Sequence, residues 1–392
     1  MAILPEVAEF IKSLRGVFEN SKPEHVVVVL LGALAVGSFG GWWAKKLIRP
    51  HTNGAGSPST PRPASEPDPL LQHIQKLRST LGKDTQNSNS LWLFHHASRP
   101  VAELLKLRES SLKVVPLVNL KGGVAKTTCV ANIGAHYALN GKKVLIIDLD
   151  YQGSASATLL RAAGQGPRPS VVDSIIAEGA SGAMNGVVDL GHIFHNRLHL
   201  LPAGDTLNRV ETHGLIKWLL DPNPAQDIRF NMARFLVSKP VQDQGFDLVL
   251  IDTPPRLTIS TINALVAASH FVIPTIPDNL AIGNVGALLG QVHELIVKGG
   301  FNESIKFAGI VLTMTQQGPR LSDFEENARQ QVAQQANDNW KGEFGGRTKV
   351  FDAWIPERAD VGRRAGYKVY PDLFRDVANE LAQRIGMQLD AA

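Results

Sequence analysis

The sequence predicts an α/β fold: a mostly parallel, doubly wound sheet, preceded by a single membrane-spanning helix and a linker. Three observations carry this expectation. From Lys113 onward, short runs rich in Val, Ile and Leu alternate with longer helical patterns. A glycine-rich loop joins the first of these runs to the helix that follows it. An uncharged run, Val26–Ala44, stands ahead of both.

The runs are Val114–Leu120, Lys142–Asp150, Phe246–Asp252, His270–Pro274 and Lys306–Met314. Each is too short for a helix. Helical patterns lie between them at Val130–Leu139, Ile259–Ala268 and Ile282–Val297. Apolar strands alternating with helices imply a parallel sheet covered on both faces. Ligands of such sheets bind at the carboxyl ends of the strands.

The chain of 392 residues reads as five segments: an amphipathic helix over 1–24, a transmembrane helix over 25–49, a Pro-rich linker over 50–70, a helical collar over 71–112 and the α/β domain over 113–392. In the first segment, Ile3, Val7, Phe10, Ile11, Leu14 and Phe18 fall three and four apart. That face suits packing on protein or lying in a membrane interface. Val26–Ala44 holds 19 residues without a charge, then Lys45, Lys46 and Arg49. At ~1.5 Å per residue it is long enough to cross a bilayer, and longer than a signal peptide's apolar region. Between Pro50 and Leu70, six prolines mark an extended linker. In the collar, Leu71, Ile74, Leu77 and Leu81 form one helical stripe and Val101, Leu104, Leu105 and Leu107 another.

Cys129 is the single cysteine, which excludes a disulfide framework and a cysteine-held metal cluster within one chain. The net charge of +4 comes from residues 1–112, with 13 basic and 9 acidic side chains; residues 113–392 hold 27 of each. The bulk charge of the α/β domain therefore does not itself demand nucleic acid.

The first apolar run leads into Lys121, Gly122, Gly123, Val124, Ala125, Lys126, Thr127 and Thr128, and a helix begins there. This is the strand–loop–helix context of a phosphate-binding loop. The glycines let the backbone approach phosphate oxygens, and the helix N-terminus supplies partial positive charge. Lys126 is placed for the β- and γ-phosphates and Thr127 for Mg²⁺. The second run ends in Asp148 and Asp150, two carboxylates on one side of a strand end. One can orient a water while the other supports the metal shell. Asp252 follows four apolar residues, the Walker B arrangement, with its carboxylate toward the magnesium.

The segments KGGVAKTT, DLDYQ and LIDTPP resemble the ParA/MinD ATPases, which carry a deviant Walker A motif. The resemblance extends over about 113–388 and includes IPTIPDNLAIGNVGALL and VFDAWIPERADVGRRAG. It implies an Mg-dependent ATPase that dimerises around ATP. Lys121 would reach the partner's phosphates, and Asp150 would position the attacking water. Two residues depart from the family's usual pattern. Ala125 stands where glycine is usual, which a helical φ at the helix start would tolerate. Tyr151 stands where proline is common. Related iron–sulfur proteins need paired cysteines, and related tyrosine kinases carry a C-terminal tyrosine cluster; this chain has neither.

The apolar run turns this resemblance into a specific expectation. It is a single-pass protein of the inner (cytoplasmic) membrane with its ATPase in the cytosol. There it would position or regulate a membrane-associated complex, with a protein activator or cargo. The alternative is a DNA partition ATPase that binds DNA non-specifically, with Arg320, Arg358, Arg363, Arg364 and Lys368 as candidate contacts.

Overall fold

The computed structural model describes residues 69–83, 91–95, 102–346, 348–358 and 368–389. The chain divides into two units at Gln75/Lys76, and the second, Lys76–Ala392, holds the sheet.

Its strands are β1 (Lys113–Leu117), β2 (Val144–Asp148), β3 (Val188–Asp189), β4 (Leu198–Leu201), β5 (Leu248–Asp252), β6 (His270–Thr275), β7 (Lys306–Thr315) and β8 (Ile355–Pro356). Their order across the sheet is β3-β4-β2-β5-β1-β6-β7-β8. Every pairing is parallel except β3 with β4. The expected mostly parallel α/β fold is thus present. The strands β3, β4 and β8 escape sequence reading because they are too short to show a pattern.

The helices are α1 (Pro69–Lys83), α2 (Ala102–Glu109), α3 (Lys126–Leu139), α4 (Ser154–Ala162), α5 (Val172–Glu178), α6 (Thr206–Leu220), α7 (Asn231–Leu236), α8 (Lys239–Gln242), α9 (Ile259–Ala267), α10 (Asn279–Val292), α11 (Asp323–Asn339) and α12 (Arg375–Arg384). The long pattern predicted over Ile282–Val297 is α10 followed by a wider π-turn at His293–Lys298.

Alternation along the strands divides the core into two layers. Val114 joins one apolar cluster with residues of α5, α7, α9, α10 and α11. Val115 and Leu117 join another with residues of α3, α4 and α12. The sheet is covered on both faces, as side chains of alternate positions require. Gly134 allows α3 to lie close: a Cβ there would come within 2.7 Å of the Ile146 side chain. Trp92, Leu104 and Leu107 belong to the first cluster, so the segment ahead of β1 helps to build the core of this unit.

Register places the site. Leu117 of β1 pairs with Asp252 of β5, and Asp148 of β2 pairs with the same Asp252. The phosphate loop and both carboxylates therefore emerge at one edge of the sheet. β1 lies between β5 and β6, and the next strands diverge from it. A crevice forms at such a switch point.

Residues 1–68, which include the expected amphipathic helix over 1–24, the Val26–Ala44 run and all but the last two residues of the linker, lie outside the described residues. Among the described residues no helix is long and apolar enough to cross a membrane. This finding corrects the expected single-pass inner-membrane localisation, which rested on uncharged length alone. Neither the span nor a lipid-bilayer partner enters the functional reading below.

Candidate nucleotide site

The loop Lys121–Ala125 is built around a lysine folded back into it. The Lys126 ammonium donates to the backbone oxygens of Asn119 at 3.0 Å and Lys121 at 3.1 Å. Burial pushes its pKa down, and the nearby carboxylates of Asp252 and Asp150 oppose that shift. The ammonium is thus held inside the loop by carbonyl oxygens, where it can meet an anionic ligand.

Asn119, which the sequence reading passed over, ties this loop to the sheet. Its side-chain amide donates to the Pro274 carbonyl at 2.8 Å, and its Oδ1 accepts from the Lys121 N–H at 2.9 Å. Its position just before the loop was the available signal. Val124 is buried beneath the loop, where its carbonyl accepts from the Thr313 hydroxyl at 3.2 Å. Gly122 and Gly123 face outward, and a Cβ on either would meet nothing within 4 Å. Gly123 has φ +72°, a left-handed conformation that suits glycine.

Ala125 has φ 62° and ψ 24°, also left-handed. The expectation of a helical φ at this position is corrected: the chain must turn from loop to helix here, and it does so through αL. A methyl group in that region costs ~1–2 kcal/mol. Ala125→Gly is therefore expected to stabilise the folded domain by about 1 kcal/mol, read as a rise in the denaturation midpoint. A fall in the midpoint would show that the methyl group is packed rather than strained.

No side chain caps the start of α3. The first N–H groups of a helix lack intrahelical partners, and Thr127 and Thr128 lie in this first turn. The Thr127 hydroxyl donates to Asp252 Oδ2 at 2.7 Å. Asp252 is fully buried, and its Oδ1 has no hydrogen-bond partner. Burial drives its pKa well above the ordinary carboxylate value; Asp148 adds to this, while Thr127 and Lys126 pull it back. An orphaned carboxylate oxygen next to a threonine hydroxyl is an oxygen donor pair that suits a hard divalent cation.

Asp148 behaves differently. Its Oδ2 accepts from the Ser156 N–H at 2.8 Å and the Ser156 hydroxyl at 2.7 Å, and its Oδ1 accepts from the Asp150 N–H at 3.1 Å. Burial raises its pKa to about 6 despite these bonds. Three donors thus engage the oxygens of Asp148, the residue expected in the metal shell. It braces the turn that carries Asp150. Ser156 lies eight residues away on α4, with no signal in the sequence to mark it. Asp150 itself is 8% exposed, and its Oδ1 accepts from the Gln152 N–H at 3.1 Å.

Lys121 pairs within its own chain, with Asp278 Oδ2 at 2.7 Å. Asp278 borders a cleft of about 430 Å³ with Ile276, Pro277, Met314 and Phe324. Of the basic residues proposed for DNA, Arg320, Arg358 and Lys368 are exposed, and Arg363 and Arg364 lie outside the described residues. Cys129 is buried among apolar side chains, and burial pushes its thiol pKa up, so it is an inert core residue.

A family described as an AAA domain (AAA_31) matches residues 112–307. The chain is 32% identical over 260 residues to the chromosome-partitioning ATPase Soj of Thermus thermophilus, covering 66% of this chain and 86% of that protein. The chain belongs to the ParA/Soj family of P-loop ATPases. It is also 31% identical to the chromosome-partitioning ATPase Soj of Treponema pallidum, covering 69% of this chain and 99% of that protein. In fold it matches an ATP complex of a McdA variant from Cyanothece, with TM-score 0.55 and 20% identity over 72% of this chain and all of that one. A cobyrinic acid a,c-diamide synthase of Mycobacterium smegmatis, solved with ADP and magnesium, has TM-score 0.52 and 25% identity over 72% of this chain and all of that one. ParA/Soj membership thus agrees with the loop, the paired aspartates and the sheet order.

Proposed function

We propose that this chain is a partition ATPase: it binds ATP with Mg²⁺, dimerises around the nucleotide, and in that state holds DNA non-specifically while it moves a chromosomal or plasmid cargo with a protein activator. The observation that carries the nucleotide part is the buried, unpartnered Asp252 Oδ1 beside the Thr127 hydroxyl, at the foot of a loop that encloses Lys126. The Soj relatives, matched over most of their lengths, support the partition part.

In this reading the loop N–H groups from Gly122 to Thr128 cradle the phosphates. Lys126 neutralises their charge. Thr127 and Asp252 hold Mg²⁺, which when bound supplies charge stabilisation at the phosphoryl oxygens. Asp150 orients the attacking water on a turn fixed by Asp148. The adenine reaches the cleft bordered by Met314 and Phe324. Lys121 leaves Asp278 and engages the partner's phosphates. The pair it leaves is part-exposed, at 28% and 38%, so breaking it costs at most ~1 kcal/mol.

Two measurements on the purified full-length chain test this. Light scattering with ATP and Mg²⁺ should show a dimer that Lys121→Ala abolishes and Asp150→Ala retains. If both variants match the parent, the sandwich dimer is wrong. A mobility shift of non-specific duplex DNA should require ATP and weaken linearly in log K against log salt. Absence of a shift at low salt rejects the partition reading, whatever the dimer does.

A further inference from the structure

We infer that Arg256 is a positioning residue for hydrolysis: it holds Tyr151, and through it Asp150, against the segment that follows Asp252. The inference rests on the ATPase reading and adds a residue to it. The Arg256 guanidinium lies over the Tyr151 ring, 5.1 Å from its centre. The same guanidinium donates through Nη2 to Asn208 Oδ1 of α6 at 3.3 Å. Three elements thus meet at one side chain: the turn after β2, the loop after β5, and α6.

The arginine has a fixed base. Its backbone oxygen accepts from the Thr261 hydroxyl at 2.7 Å, in the first turn of α9. That turn is itself held to α6, because the Ser260 N–H donates to the buried Glu211 Oε1 at 3.1 Å. The tyrosine, by contrast, sits in a short turn. Asp150 Oδ1 accepts from the Gln152 N–H, so Tyr151 is the middle residue of the turn that orients the Asp150 carboxylate. Tyrosine leaves the backbone freer than proline would. Its ring is half-buried against the main core on one side and covered by the guanidinium. The contact supplies the restraint that the residue type lacks.

A turn held this way affects the chemical step more than binding. Asp150 orients water, whereas the phosphates are held by the loop. The expected effect is the size of a partly exposed cation–π contact, about two- to fivefold in rate.

The test uses the full chain with Mg-ATP. It compares kcat, KM and the affinity for a non-hydrolysable ATP analogue in the parent, Arg256→Ala, Tyr151→Ala, Tyr151→Phe and the Arg256→Ala/Tyr151→Ala double variant. Each alanine variant should lose about two- to fivefold in kcat with the analogue affinity unchanged. Tyr151→Phe should restore the rate lost in Tyr151→Ala, because the ring face and not the hydroxyl meets the guanidinium. The double variant should be no slower than the slower single variant, as coupled residues are non-additive. Unchanged kcat in Arg256→Ala, multiplying effects in the double variant, or a parallel loss of analogue affinity overturns the inference. A parent without turnover overturns the ATPase reading instead.

Discussion

Lys126→Ala is expected to reduce ATP turnover by about 10²–10³-fold, the scale for removing one preorganised charge-stabilising donor. Lys126 is 7% exposed, and its ammonium lies within reach of two backbone carbonyls. Its position is set before any nucleotide arrives, so little reorganisation opposes its action on the phosphates. Burial lowers its pKa, and Asp252 and Asp150 oppose that shift. No ion pair in the described residues depends on it, so the fold should survive the substitution and the loss should appear in turnover. Lys126→Arg should not rescue it, because a planar guanidinium with five donors cannot occupy a site shaped around a compact ammonium. Steady-state phosphate release decides this: turnover of Lys126→Ala within tenfold of the parent would remove Lys126 from the mechanism.

Much of that site was legible in the sequence because its parts are contiguous. A strand, a loop and a helix start follow one another from Val114 to Val130, and each remaining carboxylate closes an apolar run. Strands of a parallel sheet end at one edge, so Asp148 and Asp252 had to come together, and the register pairs them directly. What could not be read depends on contacts between distant segments or on backbone conformation. The amide of Asn119 reaches Pro274, Ser156 engages Asp148, and Lys121 finds Asp278. None of these has a periodic or spaced signature. Ala125 looked like a helix residue because it adjoins one, yet the turn into α3 demands αL there. Localisation failed for a different reason: apolar length at Val26–Ala44 was read as a span, and composition alone does not establish one.

Arg229→Ala is expected to destabilise the domain by about 3–5 kcal/mol, the usual cost of breaking a buried ion pair from one side. Sequence reading gave this residue no role. It is fully buried, and its guanidinium meets both oxygens of Asp227, through Nε at 2.8 Å and Nη2 at 2.6 Å. It also donates to the backbone oxygens of Trp92 and His95. Its guanidinium carbon also lies over the rings of Trp218, at 4.8 Å, and Phe301, at 4.4 Å. One side chain thus fastens the segment ahead of β1 to the loop before α7 and to α6. Truncation leaves the Asp227 carboxylate, 13% exposed, without its counter-charge, and two carbonyls without a donor. Arg229→Lys should recover little, since one ammonium cannot serve a bidentate carboxylate and two separate carbonyls with the same geometry. Denaturant unfolding of the full chain would check this. A loss under about 1 kcal/mol would mean that the segment around Trp92 is held by apolar contacts alone. None of the contacts of Arg229 named above involves the phosphate loop. Below its unfolding range, the variant should therefore keep the parent's ATP turnover, which separates this fastening from the chemistry assigned to Lys126.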